Sequence, residues 1–193
     1  TEFIASDSCQ GRKPFTPGAT RAVGYIASQM RAIGLKPINT DSYLQEVNII
    51  SSTTVPSSEM IVSTPKERLS LKAMDDFTAF SARIEPDIEV KDAQLIFAGY
   101  GIVAPEYYKN DYSGIKNPQD KVAIVIVNDP GLGSTDSTYF KGDIMTYYGR
   151  WMYKFEEGAR QGLKGVLIIH DTRGAGYPWS TVQASAKSKM YVD

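Results

Sequence analysis

The sequence predicts a mixed α+β fold, on three observations. Residues 16–34 carry apolar side chains at helical spacing. Short apolar runs then follow one another about every ten residues, with Gly, Pro and Asp between them, the pattern of antiparallel β structure. Finally, an apolar strand, a helix and a second apolar strand succeed one another between 122 and 169, which is a βαβ unit, parallel and by the general rule right-handed.

Thr16 suits an N-cap and Pro17 the first helical turn, while Gly34 and Pro37 end the run. Val23, Ile26, Met30 and Ile33 recur every three or four residues and form one apolar face that must be buried on something. Gln45–Ile50 alternates like a strand. Ser51–Ser58 (SSTTVPSS) is too rich in Ser, Thr and Pro for a packed element and marks a domain boundary, giving residues 1–50 and 51–193. Strands are expected at Met60–Ser63, Leu69–Met74, Ile88–Val90 and Leu95–Ala98. The wholly apolar Val122–Val127 reads as a strand covered on both faces, and Asn128, Asp129, Pro130 and Gly131 turn the chain. A helix is expected from about Ile144 to Gln161, with Tyr148, Met152, Phe155 and Ala159 inward and Gly162 as the stop; Val166–Ile169 is the next buried strand. From Pro178 onward no terminal element is expected.

Composition narrows the function. The chain has 193 residues, with 21 Lys and Arg against 22 Asp and Glu. A net charge of −1 lacks the electrostatic drive for sequence-independent nucleic-acid binding. No stretch approaches 18 apolar residues, so no membrane span is expected. Surface scaling gives roughly 9,100 Å² folded against about 30,900 Å² unfolded, enough burial for a substantial core. One cysteine, Cys9, leaves no internal disulfide and no cysteine-based zinc site, and one histidine, His170, leaves no multi-histidine zinc centre. The start at Thr1, with no charged-then-apolar leader, reads as a trimmed or mature chain.

A search for chemistry finds no complete constellation. No Gly-x-Ser-x-Gly elbow exists to anchor a hydrolase nucleophile. His170 ends a strand before Asp171 and reads as a structural histidine bonded to a neighbouring loop, ahead of a general base. Glu156 and Glu157, about 100° apart on a helix, do not converge and read as a solvated face balanced by Lys154 and Arg160; Asp75 and Asp76 read as a turn. Gly99-Tyr100-Gly101 and Gly131-Leu132-Gly133 lack the remainder of a phosphate loop and read as turn glycines. Cys9 reads as a small buried residue. Tyr147, Arg150, Trp151 and Lys154 fall largely off the inward helix face. Two readings stay open for them: a Tyr/Trp/Arg contact surface, or packing against a second layer. Tyr177-Pro178-Trp179 is placed beside this cluster by the return of the βαβ unit.

Several ordered segments resemble bacterial di-zinc aminopeptidases of the glutamate carboxypeptidase and transferrin receptor family. They are Ala5-Ser6-Asp7 to Gly11-Arg12, Phe15-Thr16-Pro17-Gly18, Tyr25-Ile26-Ala27 and Ile33-Gly34-Leu35-Lys36-Pro37 at the amino-terminal end. Phe97–Ile102 with Asp111-Tyr112, Lys121–Pro130, Tyr148-Gly149-Arg150-Trp151 with Lys154 and Glu156-Glu157, Gly165–His170 and Gly176–Trp179 resemble the protease-associated module inserted in those enzymes. The likeness runs through nearly the whole chain, more weakly from about Ser51 to Glu89.

The resemblance implies a protease-associated domain with sandwich- or barrel-like sheets and flanking helices, preceded by a helix of the peptidase domain. It implies a module that covers the zinc cleft as a lid and shapes substrate access without bond chemistry, in an enzyme exported to the periplasm or beyond the cell. The two zinc ions, their ligands and the glutamate general base belong to the peptidase domain that resumes after the module, and none of those motifs has a counterpart here. No catalytic or metal residue and no cofactor is therefore assigned to this chain. Its implied partners are the peptidase domain of the same protein and a peptide substrate, with Tyr147, Tyr148, Arg150 and Trp151 facing the cleft and Arg150 suited to a substrate carboxylate. Two other readings are a free-standing peptide- or protein-binding module using the Tyr/Trp/Arg patch, and a small hydrolase built on His170.

Overall fold

The computed structural model describes residues 1–38 and 41–188, and the backbone of 190–192. The chain divides into two compact units, Thr1–Ile50 and Ser51–Val192.

In the first unit, a short helix α1 (Glu2–Ala5) and a 3₁₀ turn at Asp7–Arg12 precede the 16-residue helix α2 (Pro17–Ala32). Thr16 caps α2 by accepting the Ala19 N–H, and Gly34 leaves it at φ +77°. The start of α2 lies so close to the preceding turn that a Cβ on Gly18 would meet the Cys9 carbonyl. Cys9 is fully buried, and its thiol points to the Phe3 carbonyl at 3.4 Å. Phe3 stacks on Tyr25 at 4.6 Å. The expected apolar face exists but is not covered: Val23, Ile26, Met30 and Ile33 are all exposed.

The second unit is a mixed α+β assembly whose strands lie in small sheets, none of which closes into a barrel among the described residues. Strand β1 (Ile50–Ser52) opens it, so of Gln45–Ile50 only the last residue is extended in a ladder, and Ser51 and Ser52 join the strand. β2 (Glu59–Ser63) and β3 (Arg68–Lys72) form the expected antiparallel hairpin. Ile88–Val90, by contrast, is irregular.

The next strand departs from the antiparallel expectation. β4 (Gln94–Phe97) pairs in parallel with β7 (Lys121–Ile126), after the small hairpin of β5 (Val103–Ala104) and β6 (Lys109–Asn110). Spacing alone cannot register partners so far apart in sequence. Helix α3 (Trp151–Arg160) then leads to β8 (Gly165–Ile169), parallel to β7, giving the sheet order β4-β7-β8. Past it come α4 (Thr172–Ala175), α5 (Trp179–Ala186) and β9 (Met190–Val192), so the region after Pro178 does carry regular structure.

One face of the central sheet makes the core: Ala98, Ala123, Val125, Tyr112 and Leu163 are buried, with Ile96, Val166 and Ile168 against them. On the other face Ile124 and Ile126 are half-buried, and their ladder neighbours Phe97 and Ile169 are exposed. The all-apolar run is thus fully covered on one side only. The core is correspondingly small. The accessible surface is 13522 Å², whereas even two separately folded pieces of this size would expose only about 10,700 Å².

Helix α3 begins seven residues later than expected and turns a different face inward. Tyr153, Lys154, Glu157 and Gly158 are buried; Met152 and Ala159 are exposed. The phase is set by Gly158, where a Cβ would sit 2.2 Å from Val166 on β8, and by the Tyr153 hydroxyl, which is 3.1 Å from both Val103 N and O on β5.

Two glycine substitutions test this packing in opposite directions. Gly158→Ala should lower stability by about 1–3 kcal/mol through overpacking. Gly24→Ala, in open space on α2, should raise it by about 0.5–1 kcal/mol. Thermal unfolding of both variants reads the difference, and an unchanged midpoint for Gly158→Ala would contradict the close approach of α3 to β8.

Candidate functional site

The side chains of interest gather where β7 ends. Asn128 follows the strand at φ +72°, and its groups reach three directions. Its N–H donates to Gly149 O at 3.0 Å, its Nδ2 to Gly174 O at 2.7 Å, and its carbonyl accepts from Lys154 Nζ at 2.8 Å. Asp129, fully buried, accepts the Gly131 N–H on one oxygen and both the N–H and hydroxyl of Thr146 on the other. The turn thereby ties down the 143–150 segment, Gly174 in the short helix Thr172–Ala175, and α3 itself. A buried polar atom without a partner is costly, and these bonds explain why so polar a turn can be buried.

Lys154 corrects the expected surface. It is 0% exposed, with its ammonium end 5.9 Å from the Tyr100 ring centre. Burial pushes its pKa down to about 7, against the pull of Asp129 and Asp111, which favour the charged form. Asp111 is held by the Tyr100 and Ile102 N–H groups and pairs with Lys109 at 2.7 Å. Glu157 is likewise buried rather than solvated: it accepts from Arg160 and Gln161, each at 2.8 Å. Glu156 remains near the surface and accepts the Tyr147 hydroxyl at 2.7 Å.

The four predicted site residues lie on consecutive turns but form two sets. Tyr147 and Tyr148 occupy a 3₁₀ turn and both lean edge-on against Tyr153, at 5.4 and 5.1 Å. Tyr148 also meets Phe140 and donates its hydroxyl to Glu106 at 2.6 Å, so it serves as part of a tyrosine nest as much as a surface residue. Trp151 packs edge-on with Phe80 and Phe155 at 5.7 and 6.1 Å. Among the described residues no ring contact joins the two sets. Tyr147 and Trp151 stay 57% and 42% exposed, and Arg150, between them at the start of α3, is exposed and enters no salt bridge among the described residues. The second-layer packing is present for Tyr148, Lys154 and one edge of Trp151, while Tyr147, Arg150 and much of Trp151 are exposed.

His170 directly follows β8, but the expected hydrogen bond is not found among the described residues. Its Nε2 is buried with no partner among the described residues, and the ring lies 5.5 Å from Tyr177 and 5.7 Å from Trp179. Tyr177 and Trp179 thus accompany His170 rather than the α3 aromatics. Asp75 and Asp76 form a turn. Gly99 and Gly101 adopt left-handed turn conformations, and the Gly131 and Gly133 N–H groups are bound to Asp129 and Asp143. Among the described residues no three His, Cys, Asp or Glu side chains are grouped to hold a metal ion, and no helix is long and apolar enough to cross a membrane.

The hidden lysine gives a pH signature. In the unfolded chain a lysine titrates near 10.4, in the fold near 7, so between these values the unfolded state binds more protons and stability rises with pH. The midpoint of thermal unfolding should climb from about pH 7 towards pH 10, and Lys154→Met should flatten that climb. Above pH 10 the slope should reverse, because Tyr147, Tyr148 and Tyr153 have their pKa values raised in the fold. An unchanged climb in Lys154→Met would remove Lys154 as its source.

Comparison of the chain with protein-family models, with curated proteins and with solved structures finds no match.

Proposed function

We propose that this chain is a non-catalytic, substrate-access part of a zinc-dependent aminopeptidase: a protease-associated module covering the active-site cleft, with an amino-terminal helix belonging to the peptidase domain. The carrying observation is the exposed set Tyr147, Arg150 and Trp151 beside the buried, hydrogen-bonded Tyr153 and Lys154. Side chains of this composition bind peptides by stacking and by a planar, two-pronged contact to carboxylate. Held in fixed positions, they orient a substrate and exclude water without taking part in bond breaking.

Two further features support the reading. Helix α2 leaves Val23, Ile26, Met30 and Ile33 uncovered in a unit that buries little besides Cys9, Gly18 and Ala22, a face suited to the peptidase domain. The chain's one histidine and one cysteine also make a poor donor set for two zinc ions, so the reading assigns both ions to the peptidase domain. The enzyme's place is the periplasm or the extracellular space, as the family resemblance implies.

The test is Arg150→Ala in the complete enzyme. Loss of a two-pronged carboxylate contact should lower kcat/KM roughly tenfold for peptides with acidic or free carboxylate ends, and far less for neutral ones. Equal kcat/KM for both peptide classes, before and after the change, would contradict the proposal.

A further inference from the structure

The aromatic end of the exposed set is partly occupied by the chain itself. Phe80, from the stretch between the β2–β3 hairpin and β4, lies edge-on against Trp151 at 5.7 Å and against Phe155 at 4.7 Å, with interplanar angles of 84° and 85°. Edge-to-face pairs at these separations attract one another. The Phe80 ring is nevertheless 38% exposed and belongs to neither buried cluster. It rests on α3 rather than inside the core.

The backbone that carries this ring is sparsely bonded. From Thr78 to Lys91 no residue lies in a helix or a strand, and residues 82–91 are all exposed. Among the described residues the stretch makes no backbone-to-backbone hydrogen bond. Its polar ties to other elements are two: Ser81 N–H to Thr54 Oγ1 at 3.4 Å, and Lys164 Nζ to the Lys91 carbonyl at 3.3 Å. Both lie at the long end of hydrogen-bond range. Its other described bonds are internal, from Arg83 N–H to Ser81 Oγ and from Lys91 to Glu89. The flanks are firmer: the Met74 carbonyl accepts Gln183 Nε2 at 2.7 Å, and β4 begins in the central sheet at Gln94. A stretch with so few bonds opens locally while the fold around it stays intact.

We propose that residues 78–91 form a displaceable strap with Phe80 as its peg, an intramolecular cover on the aromatic face of Trp151 and Phe155. With the peg seated, both rings spend an edge-on contact on the chain's own side chain. Anything that binds this face has to displace Phe80 first, so its apparent affinity falls with the fraction of molecules in which the strap is open. That the cover regulates substrate access rests on the reading given above. The strap itself stands on the two ring contacts and the sparse bonding of 78–91.

Acrylamide quenching of Trp151 fluorescence in the whole chain tests the strap, with Trp179→Phe as the background so that Trp151 is the one tryptophan left. Phe80→Ala should raise the quenching constant roughly twofold, since Trp151 is 42% exposed with the peg in place. The amides of Ala123 and Val125 should keep their slow hydrogen exchange in that variant, because the core does not depend on a displaceable ring. In the complete enzyme Phe80→Ala should lower KM about threefold or more with kcat unchanged, as expected when a binding face loses its cover. Unchanged quenching, or loss of protection at Ala123 and Val125, would overturn the strap. Raised quenching with an unchanged KM would leave the strap standing and sink the substrate-access reading instead.

Discussion

The hydrogen bond from Lys154 to the Asn128 carbonyl is the constraint on which the rest of the second unit depends. A strand that ends inside a protein leaves polar backbone groups that water cannot reach, and each costs about 1–3 kcal/mol if unpaired. Here the end of β7 is satisfied by its own turn: Asn128 and Asp129 bond the 143–150 segment, and α3 sends a lysine down to the last carbonyl. Burying an ammonium costs several kcal/mol. Asp129, Asp111 and the Tyr100 ring offset part of that cost, and the residue of it is visible as the lysine's lowered pKa. The arrangement trades stability for position, because α3 cannot rotate without stranding the lysine.

The same anchors decide which side chains α3 displays. With Lys154 and Tyr153 anchored inward, Arg150 and Trp151 at the start of α3 fall on its outer side. Tyr147, Arg150 and Trp151 are thereby displayed at the surface, while Tyr148 links the same base to Glu106. The two groups differ in sign, one a guanidinium and the other a carboxylate.

The sequence revealed more of the elements than of their partners. Thr16 and Gly34 bracket α2 because capping is local chemistry, and VAIVIV and VLII announce strands because a continuous apolar run has few other uses. The parallel pairing of β4 with β7 was hidden, since it joins residues separated by the whole β5–β6 hairpin. The phase of α3 was hidden for a different reason. Hydropathy places Met152, Phe155 and Ala159 inward and lysine outward, but Gly158 against Val166 and a buried acceptor at Asn128 outweigh it. A Lys and a Glu flanking Tyr153 and Gly158 were the available sign of a polar inner face. Glu106 had no signal at all, because only the fold brings it to Tyr148, 42 residues away.

Amide hydrogen exchange tests most directly whether the turn after β7 holds this surface in place. The account predicts that the N–H groups of Asn128, Gly131 and Thr146 exchange as slowly as those of Ala123 and Val125 in the strand, despite lying in loops. Exchange of these three amides at the rate of the open segment 84–91 would contradict it, since the α3 surface would then rest on a turn that opens freely.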